Sequence, residues 1–152
     1  MKRDRNKRGY SKRSRLVKGV SLVDQVNRNE LKAFQDSWAK HKYWVMAHSQ
    51  QAYNYIRLMA KENQWTSCKQ AEYEAILFEL EALVPTDKSL RVAYEHIWGY
   101  FKKEASEREK ERYQSLIHLV PMDRNALDVF LHSLAKKYNK SYLLDMKWPI
   151  EK

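Results

Sequence analysis

The chain has 152 residues, long enough for one domain with a buried core, and only three glycines and three prolines. So few helix-interrupting residues predict an all-α fold. A single cysteine, Cys68, excludes a disulfide within the chain and a zinc site or cluster built from its own cysteines. No apolar run approaches membrane-spanning length, and no signal-peptide hydrophobic region follows the N-terminus. We therefore expect a cytoplasmic protein without a cofactor.

The formal net charge of +10 is concentrated at the N-terminus. Residues 1–18 hold nine lysines and arginines against Asp4 alone, so this segment carries +8. We expect residues 1–28 to form a basic, disordered arm and residues 29–152 to form one helical domain. Basic residues that meet phosphates release counterions, so the arm is either a tether for a polyanion or a solubilising tail. The predicted phosphate tether consists of Lys2, Arg3, Arg5, Lys7, Arg8, Lys12, Arg13, Arg15 and Lys18.

After the arm, apolar residues recur at the three- and four-residue spacing of amphipathic helices. Residues 141–152 are predicted as a short turn that docks on the body. The pattern predicts a bundle or array of five to six helices, over about residues 30–48, 50–64, 68–83, 88–105, 107–120 and 125–138.

Polar residues at the predicted helix starts match the N-cap preference for Ser, Thr, Asp and Asn. Ser106, followed three residues later by Glu109, fits a capping box. Pro85 is expected to end the third helix, because the residue before a proline avoids the helical region. The predicted N-caps are Asn29, Ser49, Thr86 or Asp87, Ser106 and Asp123.

Two short segments crowd imidazole, ammonium and phenol groups into a few helical turns. Such groups bind anions, stack on bases or move protons, and a purely structural helix does not need to collect them. The segments are Lys40-His41-Lys42-Tyr43-Trp44-Val45-Met46-Ala47-His48-Ser49 and Gly99-Tyr100-Phe101-Lys102-Lys103.

His41 and His48 are seven residues apart and lie within about 20° of each other around one helix. They fall on the apolar stripe of that helix, where a histidine is typically a core residue bonded to a carbonyl or a carboxylate. The neighbouring Lys40, Lys42 and Tyr43 favour instead the floor of a cleft. Both interpretations stay open at this point.

His96, Tyr100 and Lys103 share a helix flank away from the apolar stripe, which fits either a groove or an ordinary solvated face. Gly99 lies beside that flank in the middle of a predicted helix, where glycine costs about 1 kcal/mol relative to alanine. We therefore expect another backbone to approach Gly99 closely, from a neighbouring helix sooner than from a ligand.

Other chemistries find less support in the sequence. No carboxylate is placed to complete a metal site with His41, His48 and His96, and the HExxH spacing is absent. Ser49 has no nearby acid to orient a base, which favours a cap over a nucleophile. Most of the five tryptophans, ten tyrosines and four phenylalanines are expected in the core, leaving some to stack on unpaired bases.

The same residues carry a resemblance to a known family. They are Phe34, His41-Lys42-Tyr43-x-x-Met46-Ala47-His48-Ser49, Tyr53, His96-x-x-Gly99-Tyr100-Phe101-Lys102-Lys103, Tyr142, Leu143 and Pro149. Over about residues 30–150 the chain resembles the YbgA-like family, an all-helical bacterial domain of unknown function. That domain also occurs fused behind an iron–sulfur domain related to thiouracil desulfidases.

The fused arrangement implies an RNA-holding role beside the removal of sulfur from thiolated uridine in tRNA. Without the iron–sulfur domain and its cysteines, the chain is not expected to perform desulfidation alone. The resemblance therefore implies a separate desulfidase-like iron–sulfur protein as a candidate partner.

Two departures limit what the resemblance carries over. The family's usual Thr-Arg-Gly-Lys-His-x-Asn stretch corresponds here to residues 86–92, where Leu90 and Val92 occupy the histidine and asparagine positions. The region after Val120 is also shorter. No catalytic role of that histidine or asparagine transfers to this chain.

Together, the residues and the resemblance predict an accessory nucleic-acid-binding domain for RNA such as tRNA. Two alternatives stay open: a small enzyme acting on a nucleotide or base by histidine acid–base chemistry, and a module that docks a separate enzyme. The enzyme requires His41 or His48 to face a pocket with Tyr100 or Lys103 within hydrogen-bond reach. The predicted groove consists of His41, Lys42, Tyr43, His48, Ser49, Tyr53, His96, Gly99, Tyr100, Lys102 and Lys103.

Overall fold

The structure is a computed structural model that describes residues 22–61 and 64–152. In this part of the chain it contains helices and no strand, which confirms the all-α prediction. The nine residues of the predicted phosphate tether lie outside the described residues. The helices are α1 (Leu22–His48), α2 (Gln50–Lys61), α3 (Ser67–Glu81), α4 (Asp87–Trp98), α5 (Glu107–Ile117), α6 (Arg124–Lys137) and the short α7 (Ser141–Asp145).

Side-chain caps begin four of these helices where the sequence predicted them. In each, a side-chain oxygen accepts a hydrogen bond from the backbone N–H three residues later, which satisfies a donor that the helix leaves unpaired. Glu109 also accepts from the Ser106 N–H, so the predicted capping box is confirmed. The acceptor and donor pairs are Ser49 and Ala52 (3.0 Å), Thr86 and Ser89 (3.1 Å), Ser106 and Glu109 (3.2 Å), and Asp123 and Ala126 (3.0 Å).

Several predicted helix boundaries are wrong, among them the end of α4, which lies at Trp98 and not near residue 105. Helix α1 begins at Leu22 and not near residue 30, so Asn29 is an interior residue and not a cap. Once nucleated, a helix gains one hydrogen bond for each added residue, and residues 22–29 contain no glycine or proline to stop it. Helix α3 ends at Glu81, before the expected stop at Pro85. The predicted domain boundary between residues 28 and 29 falls inside α1.

The C-terminal half of α1 is the centre of the fold, because opposite faces of this helix enter two separate apolar clusters. Tyr43 and Ala47 pack with α4, α5, α6 and the C-terminal residues. Phe34 and Val45 pack with α2 and α3. Tyr43 and Val45 are two residues apart and therefore point about 160° away from each other around the helix. Functional side chains on α1 consequently face different parts of the molecule.

Gly99 ends α4 and does not lie in the middle of a helix, so the expectation of a closely approaching backbone is wrong. Its backbone has φ −54° and ψ −25°, and its N–H donates to the carbonyls of Glu95 and His96 at 3.2 Å each. A Cβ at this position would meet the His96 carbonyl at 3.1 Å, and the next nearest atoms also belong to residues 95 and 96. A tight turn follows, with Tyr100 N–H bonded to Ile97 O at 3.0 Å.

The end of α6 turns the chain toward α1. Asn139 adopts a left-handed conformation at φ 52°, and the Lys140 N–H donates to the Ala135 carbonyl at 2.9 Å. This is the hydrogen-bond pattern of a Schellman termination, in which asparagine tolerates the left-handed position. The turn leads into α7 and the C-terminal segment, defined as residues 147–152. The Lys147 N–H then donates to the Lys40 carbonyl at 2.9 Å, which docks this segment on α1.

Within residues 22–61 and 64–152, no helix combines the length and the apolar character needed to cross a bilayer.

Candidate functional site

One cluster of aromatic and basic side chains lies where α1, α4 and α7 meet. We call it the tyrosine shelf and define it as Lys42, Tyr43, His96, Tyr100 and Tyr142. The hydroxyls of Tyr43 and Tyr100 are 3.2 Å apart, within hydrogen-bond distance. The planes of the Tyr100 and Tyr142 rings make an angle of 27° with centroids 5.9 Å apart, and the centroid of the His96 ring lies 6.2 Å from that of Tyr43. The shelf thus joins residues from both predicted motif segments.

Three elements hold the shelf in position. Tyr43 is only 8% exposed and belongs to the apolar cluster between α1 and α4. Tyr100 follows α4 in the tight turn after Gly99 and is half-buried against the same cluster. The Tyr142 hydroxyl donates to the carbonyl of Ala39, which fixes α7 against α1. Buried ring edges and hydroxyl contacts leave the shelf little conformational freedom.

The ammonium group of Lys42 lies over two of these rings. Its Nζ is 5.3 Å from the centroid of Tyr43 and 5.9 Å from that of Tyr142. Aromatic faces carry partial negative charge and attract a cation at this range. No carboxylate of the described residues forms an ion pair with Lys42, or with the exposed Lys102 and Lys103 of the following turn. Their positive charge is available to an anion.

The phenols of Tyr43 and Tyr142 are protonated at neutral pH. Burial, together with the hydrogen bond to Tyr100, raises the pKa of Tyr43 well above its ordinary value. Burial, and then the neighbouring Tyr100 and Tyr53 phenols, raise the pKa of Tyr142 to about 12. These hydroxyls therefore act as hydrogen-bond donors and not as proton-transfer groups near pH 7.

His41 and His48 lie on the other side of α1 from Tyr43. Each is half-buried, and each donates from Nδ1 to the carbonyl four residues earlier: His41 to Ser37 at 2.8 Å, His48 to Trp44 at 2.7 Å. The two Nε2 atoms make no hydrogen bond in the described part of the chain. The predicted groove residues are thus divided between two faces, and neither imidazole lies beside Tyr100.

The C-terminal segment covers the helix between these imidazoles. The Trp44 Nε1–H donates to the Glu151 carbonyl at 2.9 Å, and Lys147 Nζ lies 4.3 Å above the Trp44 ring. The His48 ring packs on the same indole with centroids 4.1 Å apart. We call His41, Trp44, His48 and Lys147 the histidine face. The sequence analysis did not place Lys147 there, because more than a hundred residues separate it from the motif it covers.

The remaining predicted groove residues have structural positions. Ser49 caps α2, as its spacing before Ala52 indicates. Tyr53 packs between the two apolar clusters, 5.5 Å from the Trp38 ring, and its phenol contributes to the raised pKa of Tyr43. Gly99 contributes its turn and no side chain.

A further polar network went unnoticed in the sequence. The Tyr94 hydroxyl donates to Asp128 at 2.6 Å, and the second oxygen of that carboxylate lies 3.1 Å from Nδ1 of His132. The His132 ring stacks on Trp148 with centroids 3.6 Å apart. The i, i+4 spacing of Asp128 and His132 on α6 was the available signal. The network secures Trp148 and therefore supports the docked C-terminal segment.

Metal ligands are not grouped in the described residues: no three His, Cys, Asp or Glu side chains there are placed to hold one ion. A groove of about 490 Å³ lies beside His48 and the C-terminal segment. It is lined by His48, Trp44 and Arg124 together with apolar residues of the loop after α3. Its volume falls in the range of small-ligand pockets.

Comparison with known proteins identifies the family of this chain. No curated protein and no solved structure matches the chain. A family described as "Protein of unknown function (DUF1722)" matches residues 42–148, a span that contains every residue of the tyrosine shelf together with Lys147 and Trp148. Because this span covers well over half of the chain, the protein belongs to the uncharacterised DUF1722 family.

Proposed function

We propose that this protein is an accessory RNA-binding domain of the cytoplasm that binds tRNA or a similar structured RNA at the tyrosine shelf. The observation that supports this proposal most strongly is the position of Lys42. Its ammonium group lies over two tyrosine rings and has no carboxylate partner among the described residues. His96 lies against the Tyr43 ring, and Lys102 and Lys103 follow Tyr100 in the chain; all three side chains are exposed.

RNA-binding surfaces combine the two features that the shelf offers. Cations bind phosphate oxygens without regard to sequence, while aromatic and imidazole rings stack on bases that are not paired. The exposed ring of His96 and the half-buried rings of Tyr100 and Tyr142 provide stacking surfaces next to the free lysines. The contact between the Tyr43 and Tyr100 hydroxyls uses one of their two hydrogens, which leaves the other as a donor to a phosphate or base acceptor.

The resemblance to the YbgA-like family supports the choice of tRNA. In that family the helical domain stands beside a desulfidase-like iron–sulfur domain, so thiolated tRNA is the RNA that the resemblance implies. We therefore include a separate iron–sulfur protein of that kind as a partner in the proposal. The basic residues 1–18 would add phosphate contacts to those of the shelf.

The alternative of histidine acid–base chemistry finds less support. It needed His41 or His48 close to Tyr100 or Lys103, whereas the two imidazoles lie on the far side of α1 and bond to main-chain carbonyls. A binding role does not require an imidazole of His41 or His48 beside Tyr100 or Lys103.

Fluorescence anisotropy with labelled tRNA tests the proposal. The triple variant Lys42→Ala/Lys102→Ala/Lys103→Ala is compared with a control that removes two exposed lysines outside the shelf, Lys61→Ala/Lys88→Ala. Each phosphate contact contributes about one to the slope of log affinity against log salt. We expect the triple variant to bind at least about tenfold more weakly with a lower slope, and the control to lose less.

A second comparison removes residues 1–18 from the chain and should also lower the salt slope. The proposal is wrong if the full chain binds tRNA with the same affinity at low and at high salt. It is also wrong if the triple variant and its control bind tRNA equally well.

A further inference from the structure

We propose that the histidine face is a second binding site, in which His41, Lys147 and His48 bind two adjacent phosphoryl groups such as those of a diphosphate. This site lies on the opposite side of α1 from the tyrosine shelf, and its existence does not depend on RNA binding at the shelf.

The three polar groups form a row along α1. Trp44 lies between His41 and His48 in the sequence, one helical turn from each. Lys147 Nζ lies 4.3 Å above the Trp44 ring, and the His48 ring packs on the same indole at 4.1 Å. An ammonium group on an aromatic floor therefore stands between two imidazoles.

Each of the three groups has a nitrogen that is free to bind a ligand. Lys147 forms no ion pair with a carboxylate of the described residues, so its charge is not neutralised. The Nδ1–H bonds to the carbonyls of Ser37 and Trp44 hold both imidazoles in one orientation and leave Nε2 unbonded. When protonated, each Nε2–H donates to an anionic oxygen, and such charge-assisted hydrogen bonds are the strong ones.

The spacing of the imidazoles selects the ligand. His41 and His48 are separated by seven residues, which is about 10.5 Å along the helix axis. Because each ring is anchored to the carbonyl four residues earlier, both lean the same way, and their separation stays near that value. Two hydrogen bonds of about 2.8 Å and the width of one phosphate span roughly 8 Å, too little to reach both rings. Two linked phosphoryl groups reach both, with Lys147 between them.

Proton uptake should accompany this binding. Burial, and then the positive charge of Lys147, hold the pKa of His41 and of His48 below the ordinary value. An anion placed beside Lys147 favours the charged imidazoles, so protons enter together with the ligand. Binding should therefore be tighter at pH 6 than at pH 8.

Other charged groups surround the row and balance one another. Lys40 and Glu151 both act on His41, with opposite effects on its pKa. The groove beside His48 is lined by two acids and two bases, so Lys147 decides the sign of the local charge. These flanking groups are Glu81, Arg124, Glu151 and Lys152.

Calorimetric titration of the full chain with inorganic diphosphate and with inorganic orthophosphate, at pH 6 and pH 8, tests the inference. We expect diphosphate to bind at least about tenfold more tightly than orthophosphate, and more tightly at the lower pH, since it makes about one more charge-assisted contact. The variants Lys147→Met and His41→Gln/His48→Gln should each lose about tenfold or more in diphosphate affinity. The matched controls are Lys61→Met and His118→Gln, on exposed side chains outside the shelf and the histidine face, which should leave that affinity unchanged.

Circular dichroism checks that each variant is folded, and the imidazole resonances of His41 and His48 report the site directly by NMR. The inference is overturned if diphosphate does not bind, if orthophosphate binds equally well, if the Lys147→Met variant binds like the parent, or if the two imidazole resonances do not move.

Competition identifies where the phosphoryl groups come from. Displacement of diphosphate by a short single-stranded RNA would assign the site to consecutive phosphates of a nucleic-acid backbone, and simultaneous binding would assign it to a free diphosphate. Failure of tRNA binding in the shelf experiment leaves the diphosphate titration interpretable, so the two proposals fail separately.

Discussion

The tyrosine shelf and the histidine face occupy opposite sides of one helix, and the tyrosines of the first are held in a different way from the imidazoles of the second. On the shelf, hydroxyls connect distant parts of the chain: the Tyr43 and Tyr100 hydroxyls are 57 residues apart, and the Tyr142 hydroxyl and the Ala39 carbonyl are 103 apart. On the histidine face, both imidazoles bond to carbonyls four residues earlier on their own helix.

This difference separates structural from chemical roles. Tyrosines that join helices are part of the core and should be costly to remove. Imidazoles held by their own helix contribute little to tertiary packing, and each keeps one ring nitrogen for a ligand. The comparison thus predicts where a substitution affects folding and where it affects binding only.

The largest expected difference is in stability. Tyr43→Ala should reduce the free energy of unfolding by about 3 kcal/mol, because it removes a nearly buried ring and leaves a cavity between α1 and α4. His48→Ala, which removes a half-buried ring bonded within its own helix, should cost about 1 kcal/mol or less. Urea unfolding followed by circular dichroism measures both. Equal losses of unfolding free energy in the two variants would contradict the proposal that Tyr43 has a structural role and His48 a binding role.

A smaller effect concerns the hydroxyl pair of the shelf. Tyr43→Phe and Tyr100→Phe each keep the ring and remove one partner of the 3.2 Å contact. A double-mutant cycle should give a coupling free energy of about 0.5–1.5 kcal/mol, the usual net contribution of a neutral hydrogen bond. The same cycle on Tyr55 and Glu72, joined by an exposed contact of 2.5 Å on α2 and α3, serves as control and should give less. A coupling of zero at Tyr43 and Tyr100 would mean that only the rings stabilise the shelf.

The smallest effect is a difference in pH dependence between histidines. Burial alone would lower the pKa of His132, but its hydrogen bonds to Asp128 outweigh burial and raise that pKa above 6.5. The stabilisation by His132 is therefore complete below pH 6.5 and is lost as the pH rises through the folded-state pKa. For His41 and His48 the pKa is lowered, so their stabilisation is present above pH 6.5 and is lost as the pH falls.

Substitution should reveal these opposite signs. Between pH 8 and pH 5.5, His132→Gln should lose more thermal stability on acidification than the parent chain, and His41→Gln/His48→Gln should lose less. Differential scanning fluorimetry at both pH values measures the shift in Tm, and His118→Gln, on an exposed side chain, is the control. Parallel shifts in all variants would contradict the assigned hydrogen-bond partners.

Much of the local structure was predictable from single segments. Ser49, Thr86, Ser106 and Asp123 cap helices where their spacing indicated, because a cap depends on only a few neighbouring residues. The start of α1 was missed because helix propagation continued past a plausible cap at Asn29. Gly99 was misread because glycine favours both a close contact and a helix end, and the sequence does not distinguish them.

The candidate site was only half predictable. The two motif segments do meet, at Tyr43 and Tyr100. Tyr142 of the shelf and Lys147 of the histidine face come from the C-terminal region, where no sequence motif predicted them. His41 and Tyr43 are close in the sequence and were assigned to one groove. A rotation of about 160° around α1 sends them to opposite sides of the molecule.

What this sequence determined by itself is the class of fold, the capped starts of its helices and the crowding of imidazoles, phenols and lysines on α1 and after α4. Periodicity and capping are local, so they can be read from a few residues. The tertiary structure decided which of those groups share a surface, since contacts between residues a hundred positions apart depend on how the helices pack and not on any one segment.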